Sequence, residues 1–106
     1  MADALAVVYS ALGDPTRLGI LERLAHGELT VAEIRRPLQI SPPAVSKHLR
    51  VLEHAGLVRR RRSGRHQVCV LQERPLIEAG RWIEVQTAFW SGSLDSLASY
   101  LAEEQP

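Results

Sequence analysis

Residues 41–71 read SPPAVSKHLRVLEHAGLVRRRRSGRHQVCVL, and the change of pattern inside this stretch decides the fold. Its first half opens like a helix: Ser41 can cap, Pro42 suits the first helical position, and Gly56 suits the stop just past the end. Val45, Leu49 and Leu52 recur at i, i+4, i+7, a narrow apolar stripe that pins one side to a core. Pro43, Lys47, Arg50 and His54 then face the other way, with Ser46 on the flank. Taken alone, this fits an ordinary amphipathic surface helix as well as one shaped for the major groove of DNA. Past Gly56 the period changes. Leu57 to Arg62 and Arg65 to Leu71 read as extended, with Val68 and Val70 alternating against Gln67 and Cys69, and Ser63-Gly64 as the hairpin turn.

Upstream, Asp3 to Leu12 reads as a first helix. Asp14-Pro15 then starts a second, with Leu18, Leu21 and Leu24 inward, Ile20 beside them, and Gly27 as its stop. Thr30 and Glu33 have the spacing of a capping box. They open a short third helix carrying Val31, Ile34 and Leu38, and Leu29 adds a residue or two of edge strand before it. Only Leu38 to Ser41 joins this helix to the next, the spacing of a helix-turn-helix. With the hairpin and its basic tip added, the expected fold is a winged helix-turn-helix. It is mainly α with a small β-hairpin and about five to six helices, in the order α-α-(β)-α-α-β-β-α. One domain over residues 1–106 is expected, with the helix-turn-helix at 30–56, the wing at 57–71 and dimerisation helices at 1–12 and 75–104.

Charge supports the reading. Between Arg35 and His66 lie nine Lys/Arg and one acid, Glu53, a formal balance of +8, while the rest of the chain carries −7 and the total is only +1. A near-neutral chain that gathers positive charge in its middle third has the footprint of a protein that meets a polyanion. Double-stranded DNA is the expected partner, through Ser41, Pro43, Ser46, Lys47 and Arg50 on the helix and Arg61, Arg62 and Arg65 at the hairpin tip. Arg59 reads as a strand surface residue. Arg17 reads equally as lying near the DNA backbone or as paired within the chain. His48, beside the apolar stripe, reads as partly buried and hydrogen bonded.

Beyond Arg74-Pro75 the chain turns helical again. Trp82, Val85, Phe89, Trp90, Leu94, Leu97 and Leu101 keep a three-or-four spacing through Ser91-Gly92-Ser93, which predicts one long helix with room for a bend there. Three of the five aromatic residues fall between Trp82 and Trp90. With Leu5 and Val8 of the first helix, this face is expected to line a homodimer, since a winged helix on a palindromic site needs a twofold partner. Trp82 and Trp90 also leave room for an unidentified small-molecule effector between the terminal helices.

Other classes find little support. No apolar run has the length of a membrane span, and the first twelve residues lack the basic start of a signal peptide, so a cytoplasmic protein is expected. The lone Cys69 excludes an internal disulfide framework. There is no phosphate-cradling glycine loop, nucleophile elbow or HExxH, so no enzyme is expected.

LGDPTRLGILERL, GELTVAEI, ISPPAVSKHLRVLEHAGLV and RRRRSGRHQVCVL, within residues 5–71, resemble the ArsR family of bacterial winged-helix repressors. RWIEVQTAFWSGSLDSLASYL resembles a branch of it with a terminal aromatic helix. The resemblance implies a homodimeric cytoplasmic regulator, usually a repressor that leaves an inverted-repeat operator when an effector arrives. Metal-sensing members carry thiolates in a pattern of the type ELCVCDL; here Thr30 and Ala32 stand at those places. Their other site uses histidine in the terminal helices, and no histidine follows His66. No metal and no cofactor are therefore expected. Two alternatives stay open: a metal- or redox-responsive repressor using Cys69 or histidines, and a winged-helix module that binds a protein rather than specific DNA.

Overall fold

A computed structural model describes residues 2–103. Met1 and Glu104, the outer limits expected for the terminal helices, lie outside the described residues. Five helices and three short strands follow in the expected order: α1 (Ala2–Leu12), α2 (Pro15–Leu24), β1 (Leu29–Thr30), α3 (Val31–Arg35), α4 (Pro42–His54), β2 (Val58–Ser63), β3 (His66–Leu71) and α5 (Arg74–Glu103). The sheet is antiparallel in the order β1-β3-β2. This is a winged helix-turn-helix.

The helix starts are set by local chemistry. Asp14, in extended backbone, accepts from the Arg17 amide at 3.0 Å, and Pro15 follows at the first helical position. Thr30 and Glu33 close a reciprocal capping box, with bonds of 3.1 and 3.0 Å. The far end of α3 is closed by Arg23, which donates to the carbonyls of Ile34 at 3.0 Å and Glu33 at 2.8 Å. Ser41 accepts from the Ala44 amide at 3.3 Å, and Gly56 ends α4 at φ 75°, a conformation that suits glycine.

Ile20, Ile34, Val45, Leu49, Leu52, Leu57 and Cys69 are the largest fully buried side chains, so α2, α3, α4 and the sheet share one core. Three expectations shift. Leu18 is exposed, because Arg17, Ile20, Leu21 and Leu24 form the inner face of α2, and Arg17 turns in to reach the end of α1. Leu38 lies past the end of α3, where Pro37 cannot continue the amide ladder, and packs half-buried on the core. The hairpin loop is Gly64-Arg65 rather than Ser63-Gly64. Ser63 still pairs with His66, and Gly64, at φ 62°, takes the first loop position that a type II′ turn reserves for glycine.

Helix α5 runs for 30 residues without interruption through Ser91-Gly92-Ser93, a length of about 45 Å. The molecule is correspondingly elongated, 74 Å in its longest dimension. Only the start of α5 is covered. Tyr9 donates to the Ala79 carbonyl at 2.5 Å and sets its ring edge-on to Trp82, with centroids 6.0 Å apart. From Trp82 onward the expected partner-facing residues are 48–63% exposed. Val8 corrects the list: at 5% exposure it belongs to the subunit's own core, with Ala11, and has almost no surface left for a partner. Leu5 is half-buried against the same core. Among the described residues no helix is long and apolar enough to cross a membrane.

Candidate nucleic-acid interface

The site is built on α4. Val45, Leu49 and Leu52 are each at most 1% exposed, so its apolar stripe is wholly given to the core. Ser41, Pro43, Lys47 and Arg50 are exposed on the opposite side, and Ser46 is half-buried on the flank. Shallow grooves run along both sides of this ridge. One, toward α1, is lined by Ser10, Lys47, Arg50 and His54. The other, toward β2, is lined by Ser46, Arg50, Arg59 and Arg60. Arg50 borders both and so marks the crest.

The wing sorts its arginines by partner. Arg60, on the same side of β2 as buried Val58, pairs with Glu53 at the end of α4 and ties the wing to that helix. Arg61 pairs with Glu28, just ahead of β1, through exposed side chains. Arg62 and Arg65 are exposed and make no ion pair among the described residues. Thus the structure brings Ser41, Pro43, Ser46, Lys47 and Arg50 together on one helix, sets Arg62 and Arg65 free at the tip, and holds Arg61 in an internal pair. Sequence reasoning missed the Glu28 partner because an edge strand without a register places nothing beside the wing. Only the pairing of Leu29 with Cys69 and of Thr30 with Val68 brings Glu28 close to it.

Arg17 admits two readings from the sequence, and the structure joins it to His48. The Arg17 guanidinium reaches the Ala11 carbonyl at 2.7 Å, the Ser10 carbonyl at 3.1 Å and His48 Nδ1 at 3.2 Å. The Arg17 amide, aided by the charge of the Arg17 guanidinium, holds the Asp14 carboxyl below the usual carboxylate range. The capping bonds to Thr30 do the same for Glu33. Cys69 is fully buried opposite Arg60 in the ladder, and burial pushes its thiol up against the opposing pull of that arginine. A protonated, enclosed thiol is a poor nucleophile and a poor ligand. Among the described residues no three His, Cys, Asp or Glu side chains cluster as a metal site. An apolar pocket of about 600 Å³ lies between α1, the end of α4 and the start of α5, lined by Leu5, Val8, Ala55, Trp82 and Val85 with His54 and Arg81 at its edge.

Comparison with known proteins places this geometry. Residues 12–61 match a family described as a helix-turn-helix domain. The HTH-type transcriptional regulator Rv2034 of Mycobacterium tuberculosis is 41% identical over 96 residues, covering 91% of this chain and 87% of its own. The crystal structure of an ArsR family transcriptional regulator superposes with a TM-score of 0.81 at 32% identity, over 86% of this chain and 94% of that one. The chain belongs to the ArsR family. The transcriptional repressor SdpR of Bacillus subtilis is a further relative, 33% identical over 72% of this chain and 84% of its own. Helix-turn-helix regulators of the ArsR family bind DNA, and these relatives are regulators rather than enzymes. In this member Thr30, where a metal-sensing relative is expected to carry a thiolate, serves as a helix cap.

Proposed function

We propose that this ArsR-family regulator is a homodimeric repressor that binds an inverted-repeat operator in the cytoplasm. Each subunit lays the N-terminal half of α4 in a major groove. Lys47 and Arg50 contact base edges or phosphates, and Ser46 donates to one of them. The Ser41 end offers free amides to a phosphate, and Pro43 meets a thymine methyl. Arg62 and Arg65 lie over the flanking backbone or minor groove, and Arg61 joins them by exchanging Glu28 for a phosphate. The single observation that supports this most is the division of α4, with every apolar residue of its stripe inside and its basic ridge outside.

The second copy covers α5. Trp82, Val85, Phe89, Trp90, Leu94, Leu97 and Leu101, with Leu5 of α1 at the margin, form an apolar face longer than an isolated soluble chain keeps exposed. Two subunits joined there present two α4 helices to half-sites about one helical turn, or a small multiple, apart. A small apolar effector in the pocket beside Ala55 and Trp82 adjoins both the dimer face and the end of α4, where it can alter their relation.

A gel shift on DNA from the protein's own promoter region, with excess nonspecific competitor, tests the reading. A retained sequence-specific shift that weakens steeply with salt is expected. Loss of the shift to competitor at every salt concentration contradicts it.

A further inference from the structure

Arg17 makes bonds that the DNA contacts above do not require. Its guanidinium joins three helices: it donates to Ser10 and Ala11 in the last turn of α1, it belongs to α2, and it meets His48 in the middle of α4. The last carbonyls of a helix lack internal donors and sit at the negative end of its dipole, so a rigid cationic fork suits them. A guanidinium only donates. His48 Nδ1 must therefore accept, which puts the imidazole proton on Nε2. Asp14 Oδ2 lies 3.8 Å from the same nitrogen, beyond hydrogen-bond range, and is bound instead by the Arg17 amide.

Two properties of α4 give this junction its meaning. Its fully buried grip on the core is the stripe of Val45, Leu49 and Leu52, with Val51 packed half-buried beside it, and apolar contact, being non-directional, sets the roll of the helix less sharply than a hydrogen bond does. Beyond the Arg60–Glu53 pair near its end, His48, beside that stripe and next to Lys47, gives α4 a directional bond at its middle that resists its roll. At the other end of the bond is α1, which packs on α5 through Tyr9.

We propose that Arg17 and His48 are positioning residues that clamp the reading helix α4 to α1, and so set which half-site spacing the paired subunits accept. The inference rests on the dimeric reading above. One base pair added between half-sites moves one relative to the other by about 3.4 Å and about 35°. Reading helices held rigidly to the dimer body reject that displacement. Helices free to roll absorb part of it.

The test uses the inverted-repeat duplex that the wild-type protein selects from a random library, and the same duplex with one base pair inserted at its centre. Affinities over a salt series are measured for the wild type, Arg17→Lys, His48→Asn and His48→Leu. Lysine keeps the charge but cannot reach three acceptors, asparagine keeps an acceptor near the place of Nδ1, and leucine keeps only bulk. The wild type is expected to prefer its own spacing at least about tenfold, with His48→Asn within about threefold of that ratio. His48→Leu and Arg17→Lys are expected to lose most of the preference with the salt slope unchanged, since neither residue touches phosphate in this role. If Arg17→Lys does not fold, the contrast between His48→Asn and His48→Leu still decides. Retention of the wild-type ratio by His48→Leu or Arg17→Lys overturns the clamp, as does His48→Asn behaving like His48→Leu or a salt slope that falls with either loss variant. A wild type that selects no inverted repeat overturns the dimeric reading and the clamp with it, whereas normal selection with indifferent variants overturns the clamp alone.

Discussion

Helices α4 and α5 are both amphipathic, yet they resolve it in opposite ways. In α4 the apolar stripe is consumed by the subunit's core and the surface that remains is basic. In α5, from Trp82 onward, the apolar stripe is the surface that remains, and Ser91, Asp95 and Ser99 lie on its far side. A leftover charged face is satisfied by water and counterions until a polyanion displaces them. A leftover apolar face of this length has no such resting state and calls for another apolar face. The two helices therefore point to different partners, and a change in one should not imitate a change in the other.

The largest effect is expected on α5. A double substitution Phe89→Glu and Leu97→Glu buries charge wherever a second copy packs, so sedimentation velocity should show a monomer with an intact far-ultraviolet spectrum. Operator affinity should fall about 100-fold, because two linked reading helices bind far more tightly than one. A dimer that survives this pair of changes breaks the comparison from the α5 side.

Arg50→Ala comes next. It should leave the dimer untouched and cost about 1–3 kcal/mol of operator binding for each base that the arginine reads, with poorer discrimination between correct and altered half-sites in a competition assay. Arg62→Ala and Arg65→Ala should weaken binding to all duplexes alike. Each should lower the slope of log affinity against log salt by about 0.9 for every phosphate that its guanidinium neutralises. If Arg50 and the wing variants give the same pattern, the division between reading helix and backbone-holding wing is wrong.

The smallest effect concerns folding alone. Thr30→Ala removes one half of the capping box and should cost about 1 kcal/mol in urea unfolding, with the dimer face and the basic ridge unchanged. The lowered carboxyls of Asp14 and Glu33 add a pH signature. Each favours the folded state above its ordinary pKa of about 4, and that contribution is lost as pH falls through the depressed folded value. Urea midpoints should thus decline below about pH 4, and Thr30→Ala should remove only the lesser share of the Glu33 part, because the Thr30 amide that lowers Glu33 most is kept.

What the sequence made legible were features that are local or periodic. Caps at Asp14, Thr30 and Ser41, the stop at Gly56, the stripe of α4 and the unbroken phase of α5 all depend on neighbours within a few residues. Errors arose where a distant contact decides. Val8 shares the spacing of a partner-facing stripe, but the fold of the subunit closes over it. Leu18 had the right period and the wrong phase, because the reach of Arg17 to α1 turns α2. Arg61 stays among the proposed wing contacts, but its pair with Glu28 was invisible in the sequence because only strand pairing brings the two together. The wing turn moved by one residue because Gly64, not Ser63, tolerates positive φ at the first loop position. Periodicity reveals which face is apolar; only the tertiary structure reveals what already covers it.

Native mass spectrometry of the purified chain with the duplex it selects tests most directly whether a basic ridge is shown twice by a symmetric pair. Two chains per duplex, already paired before DNA is added, is the expected composition. One chain per duplex, or a monomer at micromolar concentration that binds no duplex in dilute salt, would contradict it.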